Sequence, residues 1–147
     1  MTQPATNLAE ELRAGHSIVT HTHGTSMRPL LTEGRTQVLV SPVNDEIRVG
    51  DIVLWKSGEG VYTLHRVIRI ETNPGTIIVT RGDNSITCER VPAEEILGRV
   101  TQIIRGRTFQ EAGSRPLRFY AALWRLTTPL RLPFLRIRGR LRRMTNR

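Results

Sequence analysis

Residues 23–35 read HGTSMRPLLTEGR, and the serine at their centre, Ser26, sits in a Gly-x-Ser turn between Thr25 and Met27. A serine hydroxyl is a poor nucleophile until a base takes its proton. The base best suited to that near neutral pH is an imidazole, and His65 stands alone in a β-type stretch, LHRV. A Gly-x-Ser turn and a lone strand histidine also have structural readings, a turn residue and a packed or exposed ring. The single lysine, Lys56, could serve as a base only if burial or neighbouring charge lowered its pKa, and it leads into the solvent-facing turn SGEG. His16, His21 and His23 carry a His-x-His spacing, but no Cys or acid cluster accompanies them, and alternate strand residues share a face by default. They read as structural, and no metal or other cofactor is expected.

The elements that must position Ser26 and His65 follow from periodicity. NLAEELRA, residues 7–14, has helix formers, an Asn to cap its start and Gly15 to stop it. From Ser17 onward the period changes to two, with β-branched residues between Gly and Pro punctuation. Strands are predicted over residues 17–23, 36–41, 51–56, 61–71, 76–81 and 98–105. SGEG and TNPG read as hairpin turns, and Pro92 opens PAEEIL as the first turn of a short helix. Asp51, entering a strand after Gly50, reads as a structural turn acid. The pattern breaks after Arg105. The fold class expected is a mainly β, antiparallel body over residues 1–114, followed by a helical tail over residues 115–147.

A chain of 147 residues supports one hydrophobic core. One cysteine, Cys88, excludes an internal disulfide and reads as a small packing residue. No stretch reaches the roughly 18–20 apolar residues of a spanning helix, and the first residues lack the basic and apolar regions of a signal peptide. Charge is unevenly placed. Residues 1–114 hold 12 Lys and Arg against 13 Asp and Glu, whereas residues 115–147 hold ten arginines and no acid.

Four ordered pieces together resemble the signal peptidase I family, within the larger group of serine peptidases that includes self-cleaving repressors. Gly24-Thr25-Ser26-Met27-Arg28-Pro29 resembles the nucleophile box G-x-S-M-x-P, and VGDIVLW, from Val49, is similar to the strand-entering Gly-Asp box. His65-Arg66 looks like the base box of the archaeal and endoplasmic-reticulum branch, where membrane-bound bacterial members carry lysine. Gly82-Asp83-Asn84 with Glu89 resembles the last box, and EEILGRV its closing strand. The likeness covers residues 8–104. It implies a signal-peptidase-like antiparallel β fold and a serine endopeptidase that cleaves a leader or precursor peptide, after small residues.

The resemblance also implies roles. Ser26 attacks the scissile carbonyl, His65 takes its proton and returns it to the leaving amine, and an acid, Asp83 or Glu89, holds the ring. Asp83 ranks first, because the family carries aspartate where this chain has Glu89. The Asp-Asn turn can equally bond its own backbone. The oxyanion departs from the family pattern: Gly24 stands where a hydroxyl is common two residues before the nucleophile. The backbone N–H of Ser26 and the hydroxyl of Thr25 remain as donors. Met27 is read as packing beside the site or, by resemblance, against a membrane.

The tail interleaves arginine with Leu, Phe, Tyr, Trp and Ile, and Pro129 and Pro133 are expected to split it into short helices. Its make-up suits an interfacial anchor on anionic lipid, which implies a peripheral membrane association on an unspecified side, the cytoplasm included. Its apolar share disfavours nucleic acid as a partner. The plainer alternative is a helix over residues 117–126 that docks on the β body. Two further function classes compete with the peptidase: a non-catalytic module of the same fold that binds membrane or nucleic acid through the tail, and a self-cleaving regulator. The regulator is expected to carry a lysine base and a helical DNA-binding domain, for which the dozen residues ahead of the first strand are too few.

Overall fold

A computed structural model describes residues 8–145. Helix α1, Leu8–Arg13, turns Ala9 and Leu12 inward against the sheet; the predicted cap, Asn7, lies outside the described residues. Seven strands form one antiparallel path: β1 (Ile18–His21), β2 (Gln37–Ser41), β3 (Ile52–Lys56), β4 (Tyr62–Glu71), β5 (Ile77–Arg81), β6 (Cys88–Pro92) and β7 (Ile96–Arg105). Their spatial order is β1-β2-β7-β3-β4-β5-β6, and β8 (Thr108–Glu111) pairs with β7 beyond the end of β3. The fold is therefore mainly antiparallel β, with a short leading helix and two C-terminal helices.

Two strands were not expected from the sequence. β6 is an edge strand in which only Val91 is fully buried, so its outward residues Cys88 and Arg90 leave no clear alternation. Cys88 is exposed there and does not pack in the core. β8 is a polar return after Gly106, within the segment read as the end of the body. Of the short helix expected from Pro92, one 3₁₀ turn forms, Ala93–Glu95, with Pro92 closing β6 instead.

The tail is built into the body over part of its length. Helix α2, Arg115–Leu126, buries Leu117 in the main core cluster beside Leu30, Ile52 and Ile103, with Tyr120 packed against it. The tail divides at Thr127, two residues before Pro129, as expected, whereas helix α3, Thr128–Thr145, runs through Pro133 without splitting. Pro129 lies in its first turn, where an N–H has no intrahelical partner to lose, so Pro133 alone removes a bond. Among the described residues no helix is long and apolar enough to cross a membrane.

Candidate active site

The alternation of side chains along β4 sets up the site. His65 and Arg66 are neighbours in a strand, so they point to opposite faces of the sheet. On the His65 face, the ring is 8 % exposed and its Nε2 lies 3.1 Å from Ser26 Oγ. Its Nδ1 lies 2.9 Å from Glu89 Oε2. A carboxylate can only accept, so Nδ1 carries the proton and Nε2 presents its lone pair to the serine hydroxyl.

Glu89 belongs to β6, and β5 lies between it and His65. Strands sit about 4.8 Å apart, so the contact must bridge two inter-strand spacings, about 9.6 Å. One residue of β5 supports that crossing. Thr80, opposite Glu89 in the β5–β6 register, donates its hydroxyl to Glu89 Oε2 at 3.1 Å, which fixes the carboxylate from a second side. Gly82, past the exit of β5, leaves room on the opposite, Nε2 side of the ring. A Cβ there would stand 2.6 Å from Ser26 O, 2.9 Å from Ser26 Cβ and 3.1 Å from His65 Nε2, so no side chain fits between nucleophile and base.

Asp83 is on the other face. Its carboxylate takes a two-pronged ion pair from Arg66, Nε to Oδ1 at 2.7 Å and Nη2 to Oδ2 at 2.8 Å, with both side chains almost wholly buried. The preference for Asp83 as the acid beside His65 is thereby corrected: it follows the Arg66 side of the alternation, and Glu89 reaches the ring. Arg66 also donates to Gly50 O at 2.8 Å, which ties the Gly-Asp box to the same pair.

The nucleophile turn is held from beneath by the Gly82-Asp83-Asn84 turn. Asn84 N–H donates to Ser26 O at 2.7 Å, and Asn84 Nδ2 donates to Thr25 O at 3.1 Å. Arg28 N–H bonds Thr25 O and Leu31 N–H bonds Met27 O, so Ser26 lies at the start of a run of tight turns. The first N–H groups of such a turn have no partner within it. Among the described residues neither the Ser26 N–H nor the Thr25 hydroxyl makes a hydrogen bond, which leaves both open to an oxyanion. Gly24 has φ +77°, the left-handed region that favours glycine, so the position without a hydroxyl is one the backbone asks to be glycine. Met27 is buried in the core, and its membrane-facing alternative is corrected by that packing.

From the far face, α2 and α3 grip the same turn. Trp124 Nε1 donates to Asp83 O at 2.8 Å, Arg131 Nη1 donates to that oxygen at 3.2 Å, and the Tyr120 hydroxyl reaches Asp83 Oδ2 at 3.4 Å. Tyr120 stacks on Trp124, and the Arg131 guanidinium lies over the Trp124 ring at 3.6 Å. Burial and the Asp83 carboxylate push the Tyr120 phenol far above its usual range. Burial acts on Arg131 in the opposite sense and lowers its pKa.

The remaining candidates lie apart from Ser26. Lys56 is exposed at the end of β3, over the Tyr62 ring. His16 pairs with Glu11, His21 with Gln37 and His23 with Glu33, and among the described residues no group of three potential metal ligands converges. Asp51 accepts from the Arg48 N–H and pairs with Arg99, a turn acid as read from the sequence. The residues missed by sequence reasoning are Thr80 and, as a steric requirement, Gly82.

No model of a known protein family matches the chain, and no curated protein matches its sequence.

Proposed function

We propose that the chain is a serine endopeptidase in which Ser26 is the nucleophile, His65 the general base and Glu89 the orienting acid. One observation carries this reading: the unbroken chain of contacts from Ser26 Oγ to His65 Nε2 and from His65 Nδ1 to Glu89. As Ser26 Oγ attacks a peptide carbonyl, Nε2 takes its proton, and the imidazolium so formed is stabilised by the Glu89 carboxylate. The carbonyl oxygen becomes an oxyanion, for which the Ser26 N–H and the Thr25 hydroxyl are the nearest donors. A well-placed donor of this kind contributes about 10²–10³ in rate. Nε2 then protonates the leaving amine, and a water, deprotonated by the same ring, releases the acyl group from Ser26.

The substrate class rests on the resemblance to signal peptidases: a leader or precursor peptide with small residues before the cleaved bond. The test is incubation of wild type and Ser26→Ala with peptides bearing Ala-x-Ala sites, with the products identified by mass spectrometry. Cleavage by wild type alone is the expected result. An equal lack of cleavage by both, over a panel of such peptides with lipid present, would leave the fold as a binding module without turnover.

A further inference from the structure

The C-terminal helices have a second face that the body does not use. Thr127 separates α2 from α3, and within each helix successive residues advance by about 100°. On that count Leu117, Tyr120, Trp124, Thr128 and Arg131 share the inward side, where their burial and hydrogen bonds hold them. On the outward side, Phe119, Leu123 and Leu126 fall within an arc of about 60° on α2, and Leu130, Phe134 and Ile137 within an arc of about 60° on α3. All six are between 47 % and 80 % exposed. A row of large apolar side chains on this scale marks an interaction surface.

Charge identifies the occupant. Arg115, Arg118 and Arg125 on α2, and Arg136 and Arg140 on α3, are exposed and on each helix fall within an adjoining arc of at most about 80°, alongside the apolar row. None of them pairs with a carboxylate among the described residues, and residues 112–147 contain no acid. A second copy of the chain, meeting this face with the same face, offers the arginines no carboxylate, because residues 112–147 of that copy contain no acid either. A nucleic acid would satisfy the arginines but leave four aliphatic side chains against a polar strand. An anionic bilayer takes both rows at once, the apolar one at the acyl boundary and the cationic one among the headgroups.

We propose that α2 and α3 lie in the plane of an anionic lipid surface, with Phe119, Leu123, Leu126, Leu130, Phe134 and Ile137 buried in it and the arginine row on its headgroups. The docking is independent of whether Ser26 turns over. The inward side of α2 holds Asp83, and Gly82 and Asn84 on either side of it hold Ser26, so a docked helix is joined to the candidate site through this one turn.

The test is co-sedimentation of the full chain with vesicles of phosphatidylcholine alone and of phosphatidylcholine with phosphatidylglycerol. The variant is Phe119→Ser/Leu126→Ser/Phe134→Ser, whose altered side chains are all solvent-exposed, so an unchanged melting temperature is expected and certifies its fold. Wild type and Ser26→Ala should bind the anionic vesicles at least about tenfold more tightly than the neutral ones, with salt weakening the binding and the triple variant losing about tenfold or more. The proposal is overturned if wild type binds neither vesicle, if it binds both equally, or if the triple variant binds as wild type does. It is overturned as well if the chain ignores vesicles and is instead a dimer by light scattering or retains an oligonucleotide. Loss of peptide cleavage in Ser26→Ala with vesicle binding intact separates the two readings.

Discussion

Gly82 stands against Ser26 so closely that a Cβ built on it would lie 2.6 Å from the Ser26 carbonyl oxygen, inside any real contact distance. The obstruction is backbone, which cannot swing aside as a flexible side chain would. Gly82→Ala must therefore lift the nucleophile turn off the Asn84 N–H or push the His65 ring outward. A displacement of about 1 Å between reacting groups costs on the order of 10²-fold in rate. The expected outcome in a peptide-cleavage assay is a fall of that size in kcat, with a melting temperature only modestly reduced, because the strands on either side keep their register.

The two acids near the site should part company under substitution. Glu89→Gln keeps the size of the side chain but offers a donor or a weaker acceptor to Nδ1, so the ring loses its fixed tautomer and its countercharge. By the behaviour of serine-protease triads this costs on the order of 10⁴-fold in kcat. Asp83→Asn instead leaves Arg66 buried without a countercharge, and breaking a buried pair in this way costs about 3–5 kcal/mol of stability. Denaturant unfolding and cleavage assays on the same two proteins separate the effects. Intact stability with lost turnover is expected for Glu89→Gln, and a large loss of stability for Asp83→Asn. The reverse pattern would make Asp83 the functional acid.

Why the sequence pointed to Ser26 and His65 but set the wrong acid beside the ring is visible in β4 to β6. Ser26 and His65 lie in local patterns, a Gly-x-Ser turn and an alternating strand, that survive without tertiary information. The acid depends on the face each residue takes and on pairing between strands. Adjacent His65 and Arg66 must diverge, and a hairpin folded about Asn84-Ser85 sets Glu89 opposite Thr80. Both facts were within reach had CERVP been recognised as a strand, but its charged, half-exposed edge carries no period-two signal. The sequence offered the docking of a helix over residues 117–126 as one of two alternatives, and the side chains that hold it were hidden for a related reason. The side chains of α2 and α3 that reach the body include Tyr120, Trp124, Thr128 and Arg131, residues that read as polar or aromatic rim until Asp83 and Arg81 are brought beneath them. The apolar residues that dominate the pattern are the outward ones.

Tyr120 gives a spectroscopic view of this contact. Its phenol is held protonated by burial and by the nearby Asp83 charge, so its folded-state pKa lies above that of an exposed tyrosine. A raised pKa means the stability linked to this group is complete below about pH 10 and is lost progressively as the pH rises above that value. Ultraviolet titration of phenolate should show one ionisation that is delayed into the range where the protein unfolds, and Tyr120→Phe should remove that step. An ordinary, reversible titration of both tyrosines in the folded protein would mean that α2 does not cover Asp83.

Truncation tests whether the segment after Ser114 is an appendage or part of the β body. An appendage could be removed without effect on the rest. Here removal of residues 115–147 uncovers the seat of Leu117, worth about 1.5–3 kcal/mol, and takes away the Trp124 and Arg131 donors to Asp83 O. The turn that carries Gly82 and Asn84 then loses its support from the far face while Ser26 still leans on it. A chain ending at Ser114 should melt several degrees lower and cleave more slowly, by a larger factor than Trp124→Phe alone, which deletes one donor and keeps the ring. A chain ending at Phe134 keeps Leu117, Trp124, Thr128 and Arg131 and should retain both stability and turnover on a soluble peptide. Equal behaviour of the two truncations would show that the grip of α2 on Asp83 is not what aligns Ser26.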